Sequence, residues 1–318
     1  MNENEVCVKM LAAPINPADI NRIDEVYPVL PPTPAIGGWE DVGEIHYVGS
    51  AVMAFSPGDL VIHAAYLSGT WQTYVVEDQS LWYKIDKNTP IEYAATISVN
   101  PLSALRMLED FVALKSGDTI VQNGATSIVG QCVIQLAQIR GIHSINIIRD
   151  KPESDKIKEK LIKFGANKVF TESELEVKGV KNLLGDIPKP SLGLNCIGGN
   201  AANMVIYNII FIIFKARQGG TMVTYGGVSK KPITISTPYF IFKDISLKEY
   251  LLQEKNLDEA QYQCSIDHLL ALVRAGILQY EYNFLLSRMD MVPFKDFHIA
   301  LEKAMGKQGS QRKQLLKF

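Results

Sequence analysis

The sequence predicts an α/β protein in which a doubly wound parallel sheet is inserted into a β-rich domain. Three observations predict it. Residues 5–76 carry short strands punctuated by closely spaced glycines; residues 117–247 alternate short apolar strands with helical stripes; the tail beyond Leu278 returns to mixed β and α patterning. At 318 residues and 47% hydrophobic content the chain exceeds one ordinary domain, and it has material for two buried cores.

The N-terminal elements are short. Residues 5–12 read as a strand, and Pro14, Pro17 and Asp19 supply the turn chemistry for a short helix over 18–23. A proline-rich loop over 27–34 leads into Ile36-Gly37-Gly38-Trp39-Glu40-Asp41-Val42-Gly43, then Gly49, then Ser56-Pro57-Gly58-Asp59. Residues 69–76 continue the pattern with no long helix, which suggests a coiled antiparallel barrel or sandwich. The period changes at Pro90, where Tyr93, Ala94, Leu102, Leu105, Leu108 and Phe111 give a helical pattern within 91–114.

Residues 117–150 form the unit around which the chain is organised. Thr119-Ile120-Val121-Gln122 is a short apolar run, and Asn123-Gly124-Ala125-Thr126-Ser127 turns tightly. Val129, Val133, Ile134 and Leu136 then recur at helical spacing, and Ser144-Ile145-Asn146-Ile147-Ile148 is a β-branched run. A strand, a small-residue turn and a helix start offer backbone N–H groups and a positive dipole end to an anion, as a mononucleotide-binding βαβ unit does. The dinucleotide fingerprint also needs a middle glycine, and here Ser127 and Ile128 stand between Gly124 and Gly130. By motif alone, a plain α/β turn is an equal reading. Arg149-Asp150-Lys151 follows the second strand, where an acid would hold a ribose 2′-hydroxyl and a cation a 2′-phosphate. Two cations beside one acid favour NADP over NAD; a solvated charged turn is the alternative.

Further alternation follows. A charged helix over 154–164 places Ile157, Leu161 and Phe164 on one face, Gly165 caps it, and a short strand reaches Phe170. A strand over 192–196, Gly198-Gly199, a helix near 201–216, a strand over 220–225, a turn at Gly226-Gly227 and a strand over 241–247 come next. A long amphipathic helix is expected over 258–275.

Bulk properties exclude several classes. A net charge of -2 supplies no basic field for nucleic acid. Cys7, Cys132, Cys196 and Cys264 are far apart without a Cys-x-x-Cys, which points to a reduced compartment without structural zinc or a disulfide framework. The start MNENEVCVKM has neither an apolar core nor an arginine-rich face, so no signal or transit peptide is expected in this chain. The longest apolar stretch, 204–214, is about 11 residues against the ~20 that span a bilayer, so no membrane span is expected.

With these residues placed, the chain resembles the medium-chain dehydrogenase/reductase superfamily and, within it, the mitochondrial trans-2-enoyl-thioester reductases. The carrying blocks are VKMLAAPINPADIN at 8–21, Tyr27 in its loop, PGD at 57–59, GTWQTYVV at 69–76, AATISVNPLSALRML at 94–108 and QNGATSIVGQCVIQLA at 122–137. INIIRD at 145–150, NCIGGN at 195–200, GGTMVTYGG at 219–227 and IFKD at 241–244 complete them. The resemblance implies a Rossmann NADP-binding domain, residues 99–254, inserted into a GroES-like catalytic domain formed by 1–98 and 255–318. It also implies reduction of an enoyl thioester, on CoA or acyl carrier protein, by NADPH, with hydride going to the β-carbon and a proton to the α-carbon. A mitochondrial location and a homodimer are implied likewise.

The family's site residues carry over as follows. Tyr27 occupies the place of the catalytic proton donor; unaided, it reads as an amphipathic loop tyrosine. Asn100 would approach the nicotinamide, although by itself it is an ordinary helix-start asparagine. Thr126, Ser127, Ile128 and Val129 would hold the pyrophosphate, and Arg149, Asp150 and Lys151 the adenosine ribose region. Tyr225, Gly226, Gly227 and Val228 would flank the cofactor, with Lys313 near it. Tyr250, Leu251, Leu252 and Gln253 stand in the run that lines the cofactor and acyl site. No metal is implied, because the zinc branch's Gly-His-Glu reads Gly38-Trp39-Glu40 here. His46, His63, His143, His268 and His298 are isolated in sequence and read as surface or packing residues.

Four departures from the family pattern stand out. The chain begins about one hairpin late, which would leave an open sheet edge. Asp41 replaces a turn glycine and would have to tolerate positive φ. Residues 203–218 run about seven residues longer than the pattern, roughly two helical turns. Leu251 stands where the family has a tryptophan. A quinone reductase of the same superfamily, and a variant product that binds nucleotide or partners without catalysis, are the competing readings.

Overall fold

The computed structural model describes residues 1–64, 69–178, 185–211, 219–252, 257–281, 291–306 and 313–318. In chain order the first elements are β1 (Glu5–Ile15), α1 (Pro17–Ile23), β2 (Val42–Val48), β3 (Leu60–His63), β4 (Tyr74–Asp78), β5 (Trp82–Lys84), α2 (Ile91–Ala94) and α3 (Asn100–Glu109). The middle of the chain forms β6 (Thr119–Asn123), α4 (Ile128–Ile139), β7 (His143–Ile148), α5 (Ser154–Lys163), β8 (Lys168–Thr171), α6 (Glu172–Lys178), β9 (Pro190–Asn195), α7 (Gly199–Phe211), β10 (Gly220–Thr224), α8 (Thr237–Lys243) and β11 (Ile245–Glu249). The last elements are α9 (Glu259–Arg274), β12 (Met291–Pro293), α10 (Phe297–Ala304) and β13 (Gln314–Lys317).

The chain divides into two compact units. One comprises Met1–Leu102, Asn256–Ile277 and Glu281–Phe318; the other comprises Ser103–Lys255 with Leu278–Tyr280. In the first, strands run in the order β12-β13-β1-β2-β3-β5, with β4 also on β1. β1 alternates as a half-buried strand should, sending Val6, Val8 and Met10 into a core with Ile45, Val61, Val75 and Trp82. It pairs with β4 over Glu5 to Lys9, with β13 over Ala12 to Ile15, and with β2. The first strand is therefore paired along its length, and the expected open edge does not fall on it.

The second unit is a parallel sheet in the order β11-β10-β9-β6-β7-β8. The central strands β6, β7 and β9 are buried at nearly every position, as strands covered on both faces are, and do not alternate; the outer strand β11 is buried only at Ile245. β6 is buried at every position, and Val121, Ile145, Ile147 and Met222 pack against Val205 and Ile206 of α7. The strand order reverses direction between β6 and β9, so the carboxyl ends of those two strands are the natural place for a ligand.

Three local expectations need correction. The run over 241–247 is not one strand: α8 occupies its first half, Asp244 stops the helix at φ +52, and β11 begins at Ile245. Pro238 in the first turn of α8 presets a helix, and Ile241-Phe242 concealed it behind β-type residues. The pattern over 91–114 breaks into α2 and α3, the second restarting at Asn100-Pro101. Asp41 is not among the described non-glycine residues with positive φ, so it substitutes for a glycine without that strain. Of the long segment 203–218, residues to 211 continue α7, and 212–218 lie outside the described residues.

Candidate active site

In the second unit, three strand-end turns converge. The chain leaves β6 at Gly124, whose φ is +64 and where a Cβ would lie 2.5 Å from Cys196 Sγ. A left-handed backbone with a neighbour that close admits only glycine. At Gly130 a Cβ would lie 2.7 Å from Gly124 O and Ala125 Cα, so helix α4 and the turn touch backbone to backbone. The two glycines that survive from the fingerprint are thus those needed for the sharp turn and the close packing. Ser127, in the middle, caps α4 by accepting a hydrogen bond from Gly130 N at 3.0 Å. Gln131 Nε2 donates to Thr126 O at 2.9 Å and fixes the turn. Ile128 and Val129 are the first two residues of the helix, and no carbonyl of their own helix can reach their N–H groups.

Behind this turn lies a polar ladder that was not singled out from the sequence. Asn123 Nδ2 donates to Asn195 Oδ1 at 2.7 Å, and Asn195 Nδ2 donates to Thr224 Oγ1 at 3.2 Å, linking the carboxyl ends of β6, β9 and β10. Asn123 Oδ1 accepts from Cys196 N at 2.9 Å, and Asn195 Oδ1 accepts from Ile197 N and Gly198 N at 3.2 and 3.1 Å. One residue earlier in β6, Gln122 Nε2 donates to Gly130 O and Asn146 Oδ1 at 2.9 and 2.8 Å. The signal in the sequence was polar residues inside otherwise apolar strands, which buried geometry satisfies with partners in neighbouring strands.

The third turn seats on the second. Tyr225 N donates to Asn195 O at 2.9 Å, Val228 N to Cys196 O at 3.1 Å, and Ser229 N to Ile197 O at 2.8 Å. A Cβ on Gly226 would lie 3.1 Å from Cys196 O, whereas one on Gly227 would meet nothing within 4 Å. The Tyr225 hydroxyl is buried beside the Cys196 thiol and Ser127, has no hydrogen bond of ordinary geometry, and titrates well above the usual tyrosine range because of burial. Burial also pushes the Cys196 thiol up to about 11, so it is not a thiolate at neutral pH.

The remaining expected residues of this unit are placed differently. Arg149, Asp150 and Lys151 follow β7 and are exposed, with the Asp150 carboxylate turned to Ser173. Tyr250 is buried, with its N–H donating to Thr224 O at 2.9 Å and its ring edge-on to Phe111 at 6.1 Å. Leu252 is buried, Leu251 is half-buried, and Gln253 lies outside the described residues.

The first unit gathers a second cluster. Tyr27 is half-buried, and its ring meets Trp39 edge-on at 5.7 Å. The Arg22 guanidinium lies 4.0 Å over the Trp39 ring, and its Nε donates to Val29 O at 3.0 Å, tying the Tyr27 loop to α1. Next to these, Asn16 is a hub: its Nδ2 donates to Glu40 Oε2 at 2.6 Å, and its Oδ1 accepts from Lys313 Nζ at 2.6 Å and Asn100 Nδ2 at 3.4 Å. Glu40 is fully buried, accepts also from Val99 N at 3.2 Å, and has Lys313 Nζ at 4.0 Å. Burial raises the Glu40 carboxyl above its ordinary range, against the pull of Lys313. Burial likewise lifts Asp19, which accepts from Asn16 N at 2.7 Å, to about 7. The structure therefore brings Lys313 and Asn100 together on Asn16, which resemblance alone did not indicate.

His63 also needs correction. It is not an isolated histidine: its Nδ1 contacts the buried Asp41 carboxylate, its Nε2 lies 3.0 Å from Glu77 Oε2, and its ring stacks 4.0 Å from Trp82. Although burial opposes the charge, the two carboxylates raise its pKa to about 10. At the zinc branch's histidine position the indole of Trp39 is buried, and no group of three or more potential ligands able to hold a metal ion occurs among the described residues.

A parallel sheet with its strand-end turns gathered about a helix start is the arrangement of a dinucleotide-binding domain, and with the β-rich unit and the matches that follow the class is a medium-chain dehydrogenase/reductase. Residues 2–87 match the alcohol dehydrogenase GroES-like domain. A mitochondrial enoyl-acyl-carrier-protein reductase of Arabidopsis thaliana is 59% identical, covering 100% of this chain and 82% of the relative. A solved mitochondrial 2-enoyl thioester reductase Etr1p/Etr2p heterodimer from Candida tropicalis superposes with a TM-score of 0.88 at 30% identity, covering 100% of this chain and 92% of that one. The Etr1p/NADP/crotonyl-CoA complex gives 0.88 at 29% identity, with the same coverage. The chain belongs to the mitochondrial enoyl-acyl-carrier-protein reductase family.

Proposed function

We propose that this chain uses NADPH to reduce the trans-2 double bond of an enoyl thioester carried on CoA or acyl carrier protein. The observation that carries the proposal is the 59% identity to the Arabidopsis reductase along the whole chain. The residues present fit a dinucleotide: a Cβ on Gly227 would meet nothing within 4 Å, and the first N–H groups of α4 have no carbonyl of their own helix to reach. When bound, NADPH supplies the hydride to the β-carbon.

The chain's own residues do the rest. The N–H groups of Ile128 and Val129, framed by Thr126 and Ser127, bind pyrophosphate oxygen at the positive end of α4. Arg149 and Lys151 take the 2′-phosphate, and Tyr225 to Val228 flank the cofactor. Tyr250, Leu251 and Leu252 belong to the wall beside it. Asn100, held through Asn16 by the Lys313–Glu40 pair, faces the nicotinamide. Tyr27 delivers the proton to the α-carbon as enolate-like charge builds on the thioester oxygen. The same reading assigns cofactor binding to residues 99–254 and catalysis to 1–98 with 255–318.

A second copy of the chain is the proposed partner. β11 is an outer strand of its sheet, and Leu247 on it and Phe240, Ile241 and Phe242 on α8 are exposed apolar residues, as a pairing edge requires. A mitochondrial location is proposed from the relatives, which bear that name.

The test is oxidation of NADPH by the purified chain with crotonyl-CoA or a longer trans-2-enoyl-CoA, and separately with a quinone. Turnover with the enoyl thioesters, yielding the saturated acyl-CoA, is expected. Oxidation with the quinone alone would assign the chain to quinone reduction.

A further inference from the structure

Asp150 stands two residues beyond the end of β7, where the acid of a nucleotide-binding βαβ unit ordinarily accepts from the adenosine ribose hydroxyls and repels a 2′-phosphate. Here it is engaged elsewhere. β7 and β8 pair in parallel with Ile148 opposite Thr171, and extending that register by two residues puts Asp150 opposite Ser173. Asp150 Oδ2 accepts from Ser173 N at 3.1 Å and Oδ1 accepts from Ser173 Oγ at 2.5 Å, so one serine engages both carboxylate oxygens. The hydrogen bond from the Ser173 hydroxyl holds the Asp150 carboxyl below its ordinary range.

Ser173 is itself fixed. It is the second residue of α6, and its hydroxyl lies 3.2 Å from Thr171 Oγ1. The neighbouring Glu174 accepts from Thr171 N at 2.9 Å and from Lys158 Nζ at 2.7 Å, anchoring the first turn of α6 to β8 and α5. The serine that holds Asp150 is thus seated on a pinned turn.

We propose that Ser173 is a specificity-determining residue that acts through Asp150. By holding the carboxylate toward the first turn of α6, it draws the acceptor away from an unphosphorylated ribose and turns the negative charge from the place a 2′-phosphate would take. Arg149 and Lys151, exposed on either side of Asp150, are left to meet the phosphate. Discrimination between the two nicotinamide cofactors then depends on a contact 23 residues away in sequence as well as on the two cations. The inference rests on the NADPH reading above.

Dissociation constants for NADPH and NADH, measured by titration calorimetry on the full chain, test it. Ser173→Ala releases Asp150 Oδ1, and the NADH-to-NADPH ratio of dissociation constants is expected to fall about 3- to 10-fold, through tighter NADH and weaker NADPH binding; the range reflects an exposed, charge-assisted hydrogen bond. Adding Asp150→Asn to Ser173→Ala should return the ratio to within about twofold of Asp150→Asn alone, as coupling through the carboxylate requires. An unchanged ratio in Ser173→Ala would overturn the inference, as would a fall that persists in the double variant. Equal affinities for the two cofactors in the unaltered chain would instead overturn the NADPH reading, and the inference with it.

Discussion

Arg149 and Asp150 are adjacent at the end of β7, carry opposite charge and have different surroundings. Asp150 is bonded to Ser173, while Arg149 is exposed, so on the proposed reading the cation carries the recognition of a 2′-phosphate. Arg149→Ala should weaken NADPH roughly tenfold or more, as loss of a charge-assisted phosphate contact does, and should change NADH little. Equal losses in a titration of both cofactors would return Arg149 to the role of a solvated surface charge. The cation was legible in the sequence because it follows a β-branched run at a fixed place in the βαβ unit. The Ser173 contact was not, because the parallel pairing of β7 with β8 creates it and nothing local announces it. His63 was missed for the same reason: its partners Asp41 and Glu77 lie 22 and 14 residues away, and an isolated histidine in sequence says nothing of buried carboxylates.

The decisive element is the turn from β6 into α4, where two glycines do different work. Gly124 takes a left-handed φ against Cys196, whereas Gly130 has an ordinary helical backbone and is small because the preceding turn lies against it. Gly130→Ala would place a methyl 2.7 Å from backbone that cannot move aside easily, and is expected to cost about 1–3 kcal/mol of stability by overpacking and to weaken NADPH by shifting the helix start. Thermal melts with and without NADPH check both effects; an unaltered melting temperature with unaltered binding would show that the turn has slack. The strand, turn and helix of this unit were legible because apolar period and small residues agree there. Residues 241–247 were misread because β-type side chains occupy a helix whose start is set by Pro238 and whose end is set by Asp244 in the left-handed region.

Across the whole molecule, the order of elements was legible further than their boundaries or their polar interiors. Alternation of strands and helices between 117 and 249 fixed the parallel sheet, and glycine-punctuated short strands fixed the β-rich unit. The Asn123–Asn195–Thr224 ladder and the Asn16–Glu40–Lys313 cluster join distant segments, so only folding assembles them. Stability should carry the mark of His63. Its folded-state pKa of about 10 lies above the ordinary 6.5, so its stabilising contribution is fully present below about 6.5 and is lost as pH rises through about 10. The melting temperature should therefore fall between pH 7 and pH 10.5 less in His63→Gln than in the unaltered chain, and at pH 7 the variant should be less stable by roughly 3–5 kcal/mol, because Asp41 is left buried without its partner. Parallel pH profiles for the two proteins would contradict this account of the His63 cluster.

On the proposed reading, Tyr27 delivers a proton as an enoyl thioester is reduced. This step is tested most directly by the turnover of crotonyl-CoA with saturating NADPH in the unaltered chain and in Tyr27→Phe, a change that removes one oxygen and leaves the ring against Trp39. The account predicts measurable turnover in the first and a roughly 10²–10⁴-fold lower rate in the second, with NADPH binding unaltered. Equal rates in the two proteins would contradict it.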